Sequence, residues 1–228
     1  MSKLYSLSPF YDEVSLAIQG VSQRAMEHVV GQVIREFCRD SGAWVRQLPP
    51  MTLRAGRTKY YLDPQPDSMV LYIKQAVWDS AKFSFFTPIA IHNMDLHRPR
   101  NVATYTSHPT RLFVTSEDAG LVVVHPVPTE DMEGAVVITV CLTVKPTSCN
   151  PQDPTGLKVP DIFVRRWFDT ITNGAIGTFM VQHDKPWSNA QLGQYYLQKF
   201  RRGIAVAREE SKAGHANSVR PFVFPRWN

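Results

Sequence analysis

The side chains with the most obvious potential for chemistry are seven histidines, which could bind a metal ion if they were suitably spaced. They are His28, His92, His97, His108, His125, His183 and His215. Only His92 and His97 are close in sequence, and no H-x-x-x-H pair or partner cysteine accompanies them. Zinc sites need such closely spaced nitrogen and sulfur ligands. The spacing therefore predicts no metal site.

Two clusters of acidic residues could in principle supply a catalytic acid and base. One holds Glu117 and Asp118, and the other holds Glu130, Asp131 and Glu133. Glycoside hydrolysis needs two carboxyl groups that face one cleft. Acidic side chains are also frequent in turns, because they form hydrogen bonds with nearby backbone groups. We expect solvated turns at both places.

Motifs that bind phosphate or activate a nucleophile are missing from the sequence. There is no G-x-S-x-G elbow, no P-loop and no G-x-G-x-x-G. Together with the two preceding observations, this leaves no catalytic motif in the sequence and favours a structural or assembly protein over an enzyme.

A third candidate is a cluster of basic residues near the C-terminus. It consists of Lys199, Arg201, Arg202, Arg208 and Lys212. Long basic side chains routinely cover an exposed helix face. The same residues could instead contact an acidic partner or the phosphates of a nucleic acid, where charge matters and base sequence does not. A net charge of +5 fits occasional contact with nucleic acid and is too small for a dedicated binder.

The N-terminal elements that must position these residues are an arm and a helix. The segment Tyr5–Val21 contains Pro9 and alternates weakly, so we expect an extended arm or short strand. Ser22 is a plausible N-cap of a one-sided helix that ends near Asp40 and Gly42. Trp44 should pack back on the same core.

From Val45 the pattern changes to short apolar runs separated by turn residues, which is typical of β-strands. We expect a hairpin that turns at Ala55–Gly56, and two strands joined by a turn near residues 117–120. The run 135–146 carries apolar residues on both faces, which predicts a central strand. Several short strands at such spacing favour a small antiparallel sandwich.

Two further helices follow a linker that is rich in proline and aspartate. The first should begin near Pro160 and contain Gly174 and Gly177, which allow close approach of another backbone. A turn at residues 185–187 then leads to a helix capped by Ser188. Its predicted inward residues are Leu192, Tyr195, Tyr196, Phe200, Ile204 and Ala207.

We expect the last residues to form an extended tail with exposed aromatic side chains. Phe222, Phe224 and Trp227 lie beside Arg226 in a segment that is too short for a core of its own. We expect them to dock onto another molecule. The alternative is that the tail folds back onto its own helices.

These elements predict an α+β protein. Its helical bundle contains one N-terminal and two C-terminal helices, with an inserted antiparallel β-sandwich-like domain and an extended C-terminal tail. The expected parts are an arm and first helix at 1–44, the β domain at 45–148, the helical hairpin at 149–214 and the docking tail at 215–228.

Three segments of the chain resemble the head–tail adaptor of short-tailed bacteriophages, also called tail tubular protein A or head-to-tail connector. I-R-E-F-C-R-D-S-G-A-W at 34–44 is similar to the end of that family's first helix. V-K-P-T-S followed by V-P-D-I-F-V-R-R-W-F-D-T-I-T-N-G-A is similar to its sheet-to-helix junction. P-W-S-N-A-Q-L-G-Q-Y-Y-L-Q-K-F at 186–200 is similar to its last helical hairpin.

The resemblance implies a structural virion protein without catalysis or cofactor, which forms a ring, usually of twelve copies, at the head–tail junction. Its partners would be the portal protein and a tail tube or nozzle protein, with transient non-specific contact to viral DNA. The basic cluster would then contact the portal or the channel contents, and the tail aromatics would form an interface. A tail-tube or nozzle subunit and a virion-associated cell-wall hydrolase remain alternatives.

The three cysteines and the N-terminus bear on where the protein is made. Cys38 and Cys141 fall at apolar positions, where buried free thiols are usual, and no C-x-x-C pair is present. The first residues lack the apolar run of a signal peptide, and no stretch is long enough for a membrane anchor. We therefore expect assembly in the reducing host cytoplasm.

Overall fold

The structure is a computed structural model that describes residues 4–64, 67–79, 89–94, 105–106, 109–115, 118–146 and 157–213. It is a mixed α and β protein whose strands are mostly antiparallel. The helices are α1 (Ser8–Ala17), α2 (Gln23–Ser41), α3 (Asp161–Arg165), α4 (Phe168–Met180) and α5 (Ala190–Ala213). The strands are β1 (Leu4–Ser6), β2 (Val45–Gln47), β3 (Met51–Leu53), β4 (Lys59–Tyr61), β5 (Ser68–Trp78), β6 (Ala90–Asn93), β7 (Tyr105–Thr106), β8 (Arg111–Val114), β9 (Leu121–His125), β10 (Val127–Pro128), β11 (Met132–Val144) and β12 (Lys158–Pro160).

The N-terminal segment is helical, so the prediction of an extended arm is wrong for most of it. After the short strand β1, helix α1 begins with Pro9 in its first turn, where a missing N–H group costs little. Phe10 and Val14, four residues apart, are fully buried on one face of this helix. The helix is therefore held by packing that the weak alternation of its sequence does not reveal.

The second helix confirms its sequence signals. The Ser22 hydroxyl accepts a hydrogen bond from the Ala25 N–H at 3.4 Å, and Gly42 ends the helix in the left-handed region with φ of 63°. Trp44 is buried, with its ring centroid 5.7 Å from that of Phe163. Both predicted caps and the predicted packing of Trp44 are confirmed.

Strand β11 is the centre of one four-stranded sheet. Residues 136–144 of β11 pair with β5, and three of them, residues 139–141, pair with β2 on the opposite edge. Strand β3 continues along the β2 edge. Most of β11 is buried on both faces, which confirms the prediction of a central strand.

The second four-stranded sheet has the order β4-β9-β8-β6. Strands β8 and β9 are antiparallel, as predicted, whereas β6 and β8 are parallel. The predicted hairpin at Ala55–Gly56 is wrong, because β3 joins the first sheet and β4 joins the second. The turn itself is present, with Gly56 at φ of 72°, and it carries the chain from one sheet to the other.

The predicted helix after Pro160 is interrupted. Helix α3 ends at Arg165, and α4 begins at Phe168. Phe163 and Trp167 lie on either side of the break, and both pack against the ring of Phe37. Because the apolar spacing of four residues continues across the break, the pattern alone could not reveal it.

The first described strand pairs with a strand that follows the two four-stranded sheets in sequence. Strand β1 pairs antiparallel with β12, and α2 packs against both α4 and α5. Buried residues of the helices and of both four-stranded sheets belong to one hydrophobic cluster. The linker at 149–156 and the tail at 215–228 lie outside the described residues.

Candidate functional site

The basic cluster lies on helix α5, whose start is set by a side-chain cap. The Asn189 carboxamide oxygen accepts a hydrogen bond from the Leu192 N–H at 3.0 Å, and its carbonyl accepts one from the Gly193 N–H at 2.8 Å. The cap is therefore Asn189, one residue after the predicted Ser188. Asparagine serves this role as well as serine does, so the sequence could not choose between the two.

Glycines bring α5 into close contact with α4. A Cβ atom at Gly177 would lie 2.9 Å from Leu197 Cγ, and one at Gly203 would lie 2.3 Å from Thr170 Cγ2. No side chain larger than hydrogen fits at these positions without a shift of the neighbouring atoms. The predicted close approach of another backbone is confirmed at Gly177, where Leu197 N of α5 would lie 3.0 Å from the added atom, whereas the atoms nearest Gly174 belong to the side chains of Val33 and Phe200. These contacts fix which side of α5 faces the protein interior.

Helical spacing divides the five predicted cations into two lines. Arg201, Arg208 and Lys212 are seven and four residues apart, so they follow one line along α5. Lys199 and Arg202 are three residues apart and lie on a different side. All five are exposed. The structure therefore separates what the sequence grouped as a single basic cluster.

The first line ends in a cleft of about 270 Å³ where α2, β5 and α5 meet. Four cations line it, and the only carboxylate among its described lining residues is that of Asp40. The cations are Arg39, Lys74, Arg208 and Lys212. Arg39 and Lys74 come from a helix and a strand far from α5 in sequence, so no local signal marked them as part of this site.

Hydrogen bonds tie the cleft to the C-terminal end of α2. Arg208 Nε donates to the Asp40 carbonyl at 2.6 Å, and Ser211 Oγ donates to the Gly42 carbonyl at 2.7 Å. Lys74 Nζ donates to the Ser211 carbonyl at 3.3 Å. Cations are favoured at helix C-termini because the last carbonyls lack partners within the helix. The first role of these side chains is thus to join the ends of α2 and α5.

Two of the cleft cations are also paired with carboxylates. Arg39 Nε lies 3.0 Å from the Asp40 carboxylate, and Lys212 Nζ lies 3.1 Å from that of Glu209. Exposed pairs of this kind contribute little to stability. Among the described residues, no carboxylate forms an ion pair with Arg201 or Arg208, the other two cations of the first line. Positive charge therefore exceeds negative charge along this line, and the surface is suited to an anionic partner.

Groups that could act as nucleophiles near the cleft are held in their neutral forms. Burial is the largest cause that raises the pKa of Tyr72, which reaches about 12, with the Cys141 thiol adding to the shift. Burial likewise raises the pKa of the Cys38 and Cys141 thiols. Both thiols are buried, as predicted. The four cations that line the cleft can bind negative charge.

The second line has an aromatic neighbour. Lys199 Nζ lies 4.6 Å from the centre of the Tyr195 ring and 6.0 Å from that of Tyr196. A hydrogen bond with Tyr195 is the main cause that raises the pKa of Lys199. Tyr195 and Leu192 were predicted to point inward, and both are exposed instead. Phe200, Ile204 and Ala207 are buried as predicted.

The other predicted sites have simpler outcomes. Asp131 belongs to a turn contact, since its carboxylate accepts hydrogen bonds from Arg54 Nη1 at 2.7 Å and the Ala55 N–H at 2.8 Å. In the described ranges, no group of three or more potential ligand side chains could hold a metal ion. No helix there is long and apolar enough to cross a membrane.

The predicted docking residues of the tail cannot be placed. Phe222, Phe224, Arg226 and Trp227 lie outside the described residues, as does Gly214, which was expected to end the last helix. Their role stays a prediction from sequence.

Comparison with known proteins gives no family assignment. No family model matches the chain, and a search of curated proteins finds no match either.

Proposed function

We propose that this protein is a head–tail adaptor of a short-tailed bacteriophage, a non-enzymatic ring subunit that joins the portal to the tail and continues the DNA channel. The observation that carries the proposal is the direct packing of α2 against α4 and α5, although the whole β region separates α2 from these helices in the sequence. Of the three segments that resemble the adaptor family, the first covers the end of α2 and the third covers the start of α5. The part of the second at 159–175 runs from β12 through α3 into α4. The segments that resemble the family therefore include parts of α2, α4 and α5, the helices that pack together.

The finer architecture belongs to this proposal. Helices α2, α4 and α5 form the bundle, and the two four-stranded sheets form a sandwich-like insertion. The pairing of β1 with β12 supports this division, because it joins the chain before and after the β region. In an adaptor, such a frame would be the repeating unit of the ring, usually of twelve copies, located in the virion at the head–tail junction after assembly in the host cytoplasm.

The cationic line of Arg201, Arg208 and Lys212 is the proposed contact with portal carboxylates or with passing DNA phosphates. The supporting observation is its excess of positive charge, extended by Arg39 and Lys74 in the cleft. Phosphate contacts of this type are independent of base sequence. They suit a conduit through which any part of the genome must pass, and the partners on the two sides of the ring would be the portal and a tail tube or nozzle protein.

Mass photometry of the purified protein, with and without portal protein of the same phage, tests the proposal. We expect monomers or weak oligomers alone and a ring on the portal, because a template raises the effective concentration of many modest contacts. Failure to bind the portal would contradict the adaptor function. A stable ring in dilute, portal-free solution would contradict the template dependence alone.

The alternatives give different results in the same preparation. A tail-tube or nozzle subunit would bind an assembled tail and not the portal. A virion-associated hydrolase would release fragments from purified peptidoglycan, which an adaptor would leave intact.

A further inference from the structure

The second line of α5 continues into a stripe that combines apolar and basic side chains. Leu192, Tyr195, Lys199, Arg202 and Val206 follow one another at steps of three and four residues, which places them along one side of the helix. Tyr195 is 51% exposed and Val206 is 53% exposed, although large apolar side chains are usually covered. We call these five residues the α5 stripe.

The α5 stripe lies in a part of the helix with one sign of charge. Residues 190–207 contain Lys199, Arg201 and Arg202 and no carboxylate. Two copies of this surface would therefore repel each other if they met face to face. A partner must present carboxylates beside apolar surface.

Helix α1 presents such a surface on the same protein. Asp12, Glu13 and Leu16 are exposed and lie within four residues of one another, and α1 contains no basic residue. Leu16 is 77% exposed, the most exposed of the large apolar residues that the structure describes. We call these three residues the α1 patch.

Each of the two surfaces lies on a helix whose opposite side is packed against the rest of the protein. Helix α1 packs on α2 and α4 through its opposite side, where Phe10 and Val14 are buried. Helix α5 packs on α4 and α2 through Phe200, Ile204 and Ala207. Each surface is thus left exposed by the packing that buries the other side of its helix.

We propose that the α5 stripe of one copy binds the α1 patch of the next copy. Lys199 and Arg202 would face Asp12 and Glu13, while Leu16 would pack against Val206, one helical turn beyond Arg202. A contact between two different surfaces is heterologous, so it generates a closed ring or an open chain of copies. The inference rests on the proposed function for its ring, and it specifies the subunit contact on which that ring depends.

Cysteine crosslinking tests this contact without the portal. Leu16→Cys and Val206→Cys are made separately in a Cys149→Ser background, one with a tag that distinguishes heterodimers from homodimers on a gel. Oxidation of the mixture should give a disulfide heterodimer at least severalfold more abundant than either homodimer. Leu16→Cys mixed with Tyr61→Cys, a position on β4 that is more exposed than Val206, is the control for random collision. Equal crosslinking in all mixtures would overturn the proposal.

Charge reversal tests the pairing of the ionic residues. Asp12→Lys/Glu13→Lys and Lys199→Glu/Arg202→Glu should each lose the crosslink when introduced into both partners, because like charges then meet. Combining the reversed α1 patch on one partner with the reversed α5 stripe on the other should restore it. Loss without restoration would overturn the proposal, provided that thermal melts show both variants to be folded.

The portal assay separates this inference from the proposed function. Crosslinking in a protein that does not bind the portal would refute the adaptor function and leave the subunit contact standing. Portal binding without a crosslink would refute the subunit contact and leave the adaptor function standing. If Lys199→Glu/Arg202→Glu loses portal binding while the Leu16–Val206 crosslink is unaffected, the α5 stripe faces the portal and the proposed subunit contact is wrong.

Discussion

Gly174 of α4 lies directly against the ring of Phe200 of α5. A Cβ atom on Gly174 would come within 2.9 Å of Phe200 Cδ2 and within 2.7 Å of Val33 Cγ1 of α2. The glycine therefore lies where side chains of α2 and α5 meet α4, and Phe200 is buried there. The same contact fixes the orientation of α5, and with it the sides on which the cationic line and the α5 stripe are exposed.

Gly174→Ala should lower the free energy of unfolding, by about 1–3 kcal/mol, because the added methyl group overpacks this junction. The direction is informative, since alanine in place of glycine normally stabilises a helix by roughly 1 kcal/mol. Chemical denaturation measures the change. Ala205→Gly, on the exposed side of α5, reports the ordinary helix preference alone. A Gly174→Ala variant more stable than the wild type would show that the three helices do not meet this closely.

Asn189→Ala should destabilise the protein by about 1 kcal/mol, because it removes the side-chain oxygen that accepts the hydrogen bond of the Leu192 N–H. Ser188→Ala is the matched control and should change the free energy of unfolding by only a few tenths of a kcal/mol. Thermal or urea unfolding of the two variants decides the point. The reverse order of effects would restore Ser188 as the cap.

Asp131→Asn should lower the melting temperature at neutral pH and have little effect in strong acid. The Ala55 N–H, followed by Arg54, lowers the pKa of Asp131 below its usual 3.8. A lowered pKa in the folded state gives stability that is present above 3.8 and is lost as the pH falls through the folded value. Melting curves between pH 7 and pH 2 follow this loss.

Glu130→Gln controls for the removal of a charge from the same turn. It should change the melting temperature less than Asp131→Asn does at neutral pH. A difference between wild type and Asp131→Asn that is as large at pH 2 as at pH 7 would contradict an electrostatic origin.

Deletion of residues 219–228 should leave the stability of the monomer nearly unchanged and abolish attachment to the portal or to a neighbouring copy. Aromatic anchors often carry a large share of interface energy, on the order of 2 kcal/mol or more each. The two prolines of the tail stiffen it and reduce the entropy lost on docking. A truncated protein that melts much earlier yet still assembles would place the tail in the protein's own core.

Features that depend on a few neighbouring residues could be predicted from the sequence. The caps of α2 are one case, because Ser22 and Gly42 act within one helical turn of the ends they define. Strand β11 is another, since apolar residues on both faces require cover on both sides. Helix α1 was missed, because its two buried positions, Phe10 and Val14, are too few to establish a period.

Features that depend on distant parts of the chain were decided by the tertiary structure. Strands β3 and β4 resemble a hairpin locally, yet each pairs with a strand more than fifty residues away, and the two partners lie in different sheets.

The buried side of α5 is the clearest example of a feature that the tertiary structure decided. Tyr195 and Tyr196 are equally apolar, and both positions fit an amphipathic helix. The contacts of the small Gly193 and Gly203 with α4, together with the packing of Phe200 against Gly174, determine that Tyr195 faces outward. The cleft that joins Arg39, Lys74 and Arg208 likewise exists only because the ends of α2 and α5 meet beside β5.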